Sequence, residues 1–263
     1  MKKSLFCACV LSLCLVSSAP AALRVGATPT PHAEILAQVK DDLKAMGIDL
    51  EIVEFTDYVT PNLALNDGDL DANYFQHLPY LESFCKDRGL NLVSAATVHV
   101  EPMGLYSKKF AKVQDLPDGA VIAIPNDPTN GGRALLLLQS AGLIALAEGS
   151  GLSATELDVE KNPHGFSFCP LEAAQLPRSL DDVDVAVING NYAIPAGFNP
   201  AKDALLVEGA QSPYANVIAV RSGDEKKPEI LALVKALSSE KVRDFILKTY
   251  KGAVLPDFSP VQP

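Results

Sequence analysis

Runs of period two and runs of period 3.6 follow one another along this chain, and each switch predicts the end of one element and the start of the next. Leu23-Arg24-Val25-Gly26-Ala27 reads as a short strand. The polar stretch Thr28-Pro29-Thr30-Pro31 then leads into apolar spacing at Ile35, Leu36, Val39, Leu43 and Met46, which predicts an amphipathic helix. Gly47 closes that helix, and Ile48, Leu50, Ile52 and Val53 give a second strand over 48–55. Strand, helix, strand implies a parallel sheet. The order repeats with a helix over 58–66, a strand over 71–75, a helix over 78–88 and strands near 92–93 and over 98–106. A second set opens at Leu116-Pro117-Asp118-Gly119, with strands over 120–124, 166–168 and 183–188 and helices over 131–141 and 172–180. Residues 217–221 form a strand of the kind the first set lacks, followed by helices over 228–237 and 240–248. The fold class is therefore α/β, with 22–105 plus 215–263 as one lobe and 106–214 as the other, each a mostly parallel sheet flanked by helices. Two chain crossings make a hinge. The chain has no internal repeat and no low-complexity segment.

Lys2 and Lys3 precede an apolar run from Leu5 to Val16 and the small residues Ser17-Ser18-Ala19-Pro20-Ala21-Ala22, so residues 1–21 read as a secretory signal peptide. A membrane-spanning helix needs about 20 apolar residues, more than this run supplies. Ala19-x-Ala21 suits ordinary cleavage, whereas Cys14 follows Leu13, a poor setting for lipid attachment. A secreted, soluble periplasmic protein is thus favoured over a lipid-anchored one. Without Lys2 and Lys3 the chain keeps 20 of its 22 basic residues against 32 acidic ones, a net charge near −12. Such a charge opposes contact with nucleic acid and suits a soluble monomer. Only Cys85 and Cys169 lie beyond the leader, one in a helical and one in a strand-like pattern, so two separate thiols are expected rather than a disulfide or a metal site.

There is no G-x-S-x-G elbow, no G-x-x-x-x-G-K-[ST] loop and no H-E-x-x-H, and His32, His77, His99 and His164 stand in unrelated contexts. Neither a catalytic centre nor a cofactor is expected. The chemistry gathers instead in loops at the C-terminal ends of predicted strands, where α/β sheets bind ligands. The segment 125–133, Pro-Asn-Asp-Pro-Thr-Asn-Gly-Gly-Arg, enters a helix whose first-turn N–H groups attract an anion, and Arg133 adds a planar fork for a carboxylate. The plainer alternative has Asn126, Asp127 and Asn130 as caps and Arg133 paired with a surface acid. Asn189-Gly190-Asn191-Tyr192 ends an apolar strand, and Ser212-Pro213-Tyr214-Ala215-Asn216 precedes the returning one. Amides there either hold an ammonium or a carboxylate, or simply make turns. Residues 72–80 and Phe55-Thr56-Asp57-Tyr58 collect aromatic side chains in a chain only 6% aromatic. They form either core, with His77 as a helix cap, or a wall suited to a thioether, which gains about 0.3–1.5 kcal/mol per sulfur–aromatic contact.

These pieces together resemble the methionine-binding lipoprotein family of ATP-binding-cassette importers. The resemblance runs in order through Glu54-Phe55-Thr56-Asp57-Tyr58, Gly68-Asp69 with Asn73-Tyr74-Phe75-Gln76-His77, and Pro125-Asn126-Asp127 with Asn130 and Arg133. It continues through Ala186-Val187-Ile188-Asn189 with Tyr192-Ala193, Ser212-Pro213-Tyr214-x-Asn216, and Tyr250-Lys251-Gly252. It implies a two-lobed periplasmic binding protein of type II-like fold, a methionine-like amino acid held in the interlobe cleft, and the permease of an ABC importer as partner. By the same resemblance Arg133 takes the ligand carboxylate with help from Asn130, Asn189 and Asn216 complete the polar grip, and Tyr58, Tyr74, Phe75 and His77 line the side-chain pocket. The departure is at the N-terminus, where the family shows a lipid-attachment Cys and this chain shows Ala19-Pro20-Ala21. A periplasmic enzyme or an adhesin-like surface protein on the same fold is the alternative, and fold alone does not choose between them.

Overall fold

The computed structural model describes residues 22–209 and 213–260; the leader over 1–21 lies outside them. The period-two stretches fall into two main sheets. The first has the strand order Leu255–Pro260, Leu92–Val100, Ala215–Arg221, Ala72–His77, Leu23–Ala27, Leu50–Glu54. Its last three strands form a parallel centre, and Ala215–Arg221 runs antiparallel to both Ala72–His77 and Leu92–Val100. The second sheet has the order Leu206–Val207, Gly104–Tyr106, Val185–Ile188, Val121–Pro125, Ser167–Leu171, again with a parallel centre in the last three. The chain leaves the first sheet after Val100 and rejoins it at Ala215.

Both faces of each sheet are covered, which is why its strands are apolar on both sides. Val185 and Val187 enter one core with Ile122, Ile124, Leu135 and Leu138, while Ala186 and Ile188 enter another with Ala123, Leu176 and Leu180. In the first sheet Ile218 and Val220 join Ile35, Leu36, Leu233 and Ile246, and Val217 and Ala219 join Leu65, Leu70 and Leu81. Each such aliphatic side chain stabilises the fold by about 1.5–3 kcal/mol through burial. The helices that flank the cleft start on side-chain caps: His77 accepts from Tyr80 N ahead of Leu78–Arg88, and Asp127 accepts from Asn130 N ahead of Pro128–Ser140. Pro128–Ser140 carries Gly131 and Gly132 in its first turns, at a helix cost of about 1 kcal/mol each relative to Ala. Gly132 earns its place through close approach, since a Cβ there would lie 2.3 Å from the Leu152 carbonyl oxygen.

Several elements differ from their predicted extents. The helix expected over 35–46 is broken at Gln38 and Val39 into Glu34–Ala37 and Lys40–Ala45. The strand expected over 98–106 is interrupted at Glu101-Pro102-Met103, where Pro102 has no N–H to give a ladder. Leu255–Pro260 was not predicted as a strand because it holds Pro256 and Pro260; it sits at the sheet edge, where proline is tolerated. Cys85 and Cys169 are free thiols, both half-buried. Among the described residues no helix is long and apolar enough to cross a membrane.

Candidate functional site

Between the two sheets lies a space of about 340 Å³. Tyr58, Phe75 and Tyr80 form an aromatic wall, with ring centroids 6.0 Å apart for Tyr58–Phe75, 5.8 Å for Tyr58–Tyr80 and 6.2 Å for Phe75–Tyr80. The wall is fixed by hydrogen bonds: Tyr80 Oη donates to the Tyr58 carbonyl at 2.9 Å, and Tyr58 Oη donates to Asn191 Oδ1 at 2.5 Å. The second of these joins the loop after the strand Leu50–Glu54 to the helical turn Gly190–Ala193 that follows the strand Val185–Ile188. Seven of the eight residues singled out in the sequence line this space: Tyr58, Phe75, His77, Asn130, Arg133, Asn189 and Asn216. The eighth, Tyr74, does not. It is fully buried in the first sheet's core, its hydroxyl bonded to His99 Nδ1. Period-two alternation puts Tyr74 on the core face with Ala72, opposite Ile218, while a register shift that pairs Val217 with Gln76 leaves Phe75 with no opposite number. Phe75 packs with Tyr80 and Phe84 on the aromatic side, whereas Tyr74 stays with the core.

Counting donors and acceptors separates the amides by task. Asn130 Nδ2 donates to both carboxylate oxygens of Asp127 at 3.0 Å, and Asn130 Oδ1 accepts from His77 Nε2 at 3.1 Å and Asn189 Nδ2 at 2.8 Å. Both ends of this amide are engaged within the protein. Asn130 thus ties His77, at the end of a strand of the first sheet, to Asn189, just past a strand of the second. His77 is likewise saturated, accepting from Tyr80 N at Nδ1, so it offers a ligand only its ring. Burial, reinforced by Arg133, lowers its pKa to about 3, which keeps it neutral. The other amides keep one end open. Asn216 Oδ1 faces His32 Nε2 at 3.0 Å, leaving Nδ2 as a donor. Asn189 Oδ1 and Asn191 Nδ2 are buried with no hydrogen-bond partner among the described residues. A buried polar atom without a partner costs about 1–3 kcal/mol, so these atoms point to a polar ligand.

Arg133 is only 4% exposed, and its fork is already engaged. Nε donates to Glu208 Oε1 at 2.9 Å, Nη2 donates to Glu208 Oε2 at 2.5 Å and to the Glu101 carbonyl at 2.8 Å, and the guanidinium lies 4.1 Å from the Tyr214 ring centroid. The expected two-pronged grip on a ligand carboxylate is therefore taken by Glu208, and Nη1 is the nitrogen left for a ligand. The expected anion site at the helix start is likewise occupied from within, because the Asp127 carboxylate caps it. Sequence reasoning missed Glu208, whose separation from Arg133 by 75 positions leaves no local trace.

His32 and His99 do not stand apart, as the sequence suggested. Their ring centroids lie 5.0 Å apart, and both turn Nε2 toward Glu101 Oε1, at 3.4 Å from His32 and 2.8 Å from His99. Thr28 Oγ1 at 2.7 Å from His32 Nδ1 and the Tyr74 hydroxyl at His99 Nδ1 complete a consistent proton arrangement. Each hydroxyl donates to Nδ1, and each Nε2–H points at the carboxylate or at Asn216. Burial lowers the pKa of His32 to about 4 and of His99 to about 3, while it raises that of Glu101 against the pull of His32 and Arg133. Glu101 follows the alternating stretch Val98-His99-Val100, and a carboxylate ending an apolar strand was the one signal available for it.

The sequence pattern of a family described as NlpA lipoprotein matches residues 23–258. The chain belongs to the NlpA lipoprotein family. A D-methionine-binding lipoprotein MetQ from Escherichia coli is 47% identical over 225 residues, 85% of this chain and 82% of its own length. A methionine-binding lipoprotein MetQ from Bacillus subtilis is 45% identical over 237 residues, 88% and 86% of the two chains. Among solved structures, a nutrient binding protein from Burkholderia cenocepacia bound to methionine is 48% identical with a TM-score of 0.88, covering 90% of this chain and all 100% of its own. The α/β fold and the resemblance to methionine-binding lipoproteins read from the sequence are thus borne out. These names also overturn one expectation: in a family of lipoproteins, lipid attachment is not the less favoured outcome. The Leu13-Cys14 junction weighed against it because the leader was judged alone.

Proposed function

We propose that this NlpA family member captures methionine, or an amino acid of that shape, outside the cytoplasmic membrane and delivers it to an ABC importer. The observation that carries this reading is one space with an aromatic wall at Tyr58, Phe75 and Tyr80 and open amide groups on Asn189, Asn191 and Asn216. The wall suits a thioether, and the amides suit an ammonium and a carboxylate. The relatives named above, methionine-binding by name, support it, and they lend nothing to an enzyme or an adhesin. The role is binding without catalysis, by a monomer whose partner is the importer's permease. Each sheet is the centre of one lobe; because Gly104–Tyr106 pairs within the second sheet, the boundary expected at 105 moves back to the crossing after Val100, and that crossing with the one before Ala215 is the hinge. A lipid tether on Cys14, the cysteine nearest the end of the apolar run, with cleavage just before it, holds the protein at the membrane. Mass spectrometry of the purified full chain tests both parts. Denaturation is expected to release methionine, and the N-terminal peptide to carry a diacylglyceryl mass. Release of a sugar or a metal ion would sink the ligand reading, and a bare start at Ala22 or Leu23 would sink the tether alone.

Asn216→Ala is expected to weaken methionine binding by roughly tenfold to a few hundredfold, the effect of about 1–3 kcal/mol for an unpaired buried ligand group. The ligand-free protein loses less, because His32 Nε2 keeps Glu101 Oε1 at 3.4 Å as an acceptor. Paired melting curves check this: the ligand-induced rise shrinks while the ligand-free midpoint stays near the parent's. A fall in the ligand-free midpoint with an unchanged rise would make Asn216 a scaffold residue.

A further inference from the structure

One short segment of the second lobe reaches the first through several consecutive residues. The helical turn Gly190–Ala193 follows the strand Val185–Ile188 and is wound tightly by its own backbone. Tyr192 N and Ala193 N donate to the Asn189 carbonyl at 3.1 and 2.9 Å, and Ile194 N donates to the Gly190 carbonyl at 2.9 Å. Ala193 is fully buried and anchors the turn in the second lobe's core with Ala186 and Ile188. From this anchor the neighbouring residues cross over. Gly190 lies so close to the crossing after Val100 that a Cβ there would sit 2.9 Å from Glu101 Cβ. Asn191 accepts the Tyr58 hydroxyl. Tyr192 Oη donates to the Thr56 carbonyl at 2.9 Å, with its ring centroid 5.2 Å from that of Tyr58. Ile194 packs against the first lobe's core cluster, the one that holds Ile35, Leu36 and Ile218.

The edge that receives this turn is stiff. Phe55 N donates to the Ala27 carbonyl at 2.8 Å, and Asp57 Oδ1 accepts from both Val59 N and Thr60 N at 2.7 Å, so the loop presenting the Thr56 carbonyl is held at both ends. Asn191 and Tyr58 line the ligand space, but Tyr192 and Ile194 do not. The contacts of these two with the first lobe therefore favour the shut form without touching a ligand atom. Such contacts break before a ligand leaves and form only after it has entered, so they act on dissociation and leave association nearly unchanged. We propose that residues 190–194 are a closure latch, in which Tyr192 and Ile194 set how long the ligand is retained. This rests on the two-lobed, ligand-capturing reading and deepens it. Both are positioning residues, acting through the lobes and not on the ligand.

The test is a chase on the full chain, loaded with radiolabelled L-methionine and diluted into unlabelled methionine, with the association rate and the ligand-free urea midpoint measured alongside. Tyr192→Phe keeps the ring and removes only the hydroxyl, and Ile194→Ala removes most of the apolar contact. Each is expected to speed dissociation by about three- to tenfold, the effect of one hydrogen bond or of part of an aliphatic side chain. Association is expected to change by less than about twofold, and the ligand-free midpoint to stay near the parent's. Dissociation at the parent's rate in both variants overturns the latch and leaves the methionine reading intact. A slowed association with unchanged dissociation does the same, and so does a ligand-free midpoint that falls while dissociation holds, which would make both residues scaffold. If Ile194→Ala does not fold, Tyr192→Phe decides alone. A parent that retains no labelled methionine removes the amino-acid reading and this inference with it.

Discussion

Arg133→Lys is expected to lower both the stability of the ligand-free protein and its affinity for methionine. Three acceptors converge on this guanidinium, namely two Glu208 oxygens and the Glu101 carbonyl, and its face covers the Tyr214 ring. A lysine ammonium is a point charge on a flexible stem and cannot serve a bidentate carboxylate, a carbonyl and a stacked ring together. Breaking a buried pair costs about 3–5 kcal/mol when one partner is removed outright. Glu208 is partly accessible and Lys keeps the charge, so about 1–3 kcal/mol is expected here. The affinity loss is at least about tenfold, because the helix that carries Arg133 also carries Asn130, the bridge between His77 and Asn189. Urea unfolding without ligand and calorimetry with methionine measure the two effects. Had Arg133 served only as the ligand's carboxylate clamp, the ligand-free protein would be unmoved, and that result would remove Glu208 from the account.

What the sequence disclosed and what it withheld divide along physical lines. Periodicity announced the returning strand Ala215–Arg221, because Val217 to Val220 are apolar on both faces and no helix-period pattern interrupts them. Loop chemistry announced Asn189 and Asn216, because an amide at the end of an apolar strand has few structural reasons to be there. Tyr74 shares the core face of Ala72 by period-two alternation, whereas the exposure of Phe75 to the cleft depends on a register shift set by pairing with Val217 and Ile218, over 140 positions away. Glu208, His32 and Glu101 were missed for the same reason. Their role exists only once the two sheets and the crossing after Val100 bring them together. Asn130 lies in the cleft, and its ties to Asp127, His77 and Asn189 are visible only in the folded chain, because two of those partners stand more than 50 positions away.

Mild acid is expected to destabilise this protein between pH 6.5 and 5, above the range in which ordinary carboxylates titrate. His32, His77 and His99 are buried and neutral, with pKa values lowered from 6.5 to about 4, about 3 and about 3. In the unfolded chain each takes up a proton as the pH falls through about 6.5, while in the folded chain it does not. The unfolded state therefore binds more protons across this window, and stability falls with pH by about 1.4 kcal/mol per unit for each excess proton. Glu101 and Asp127 act in the opposite sense, since burial raises both, so the folded state takes up these carboxyl protons at a higher pH than the unfolded state does. Near pH 5, where the unfolded imidazoles are almost fully charged, three histidines against two carboxyls still leave an excess of about one proton. The lowered carboxyls of Asp158, Asp184 and Asp224 contribute only further down, below about pH 4. Urea midpoints of the ligand-free protein at pH 7.5, 6.5, 5.5 and 5.0 give the slope directly: nearly level above 6.5, then falling. A stability that stayed constant or rose on going from pH 6.5 to 5.0 would mean that His32 and His99 are charged in the folded state, and the proton arrangement around Glu101 would have to be reversed.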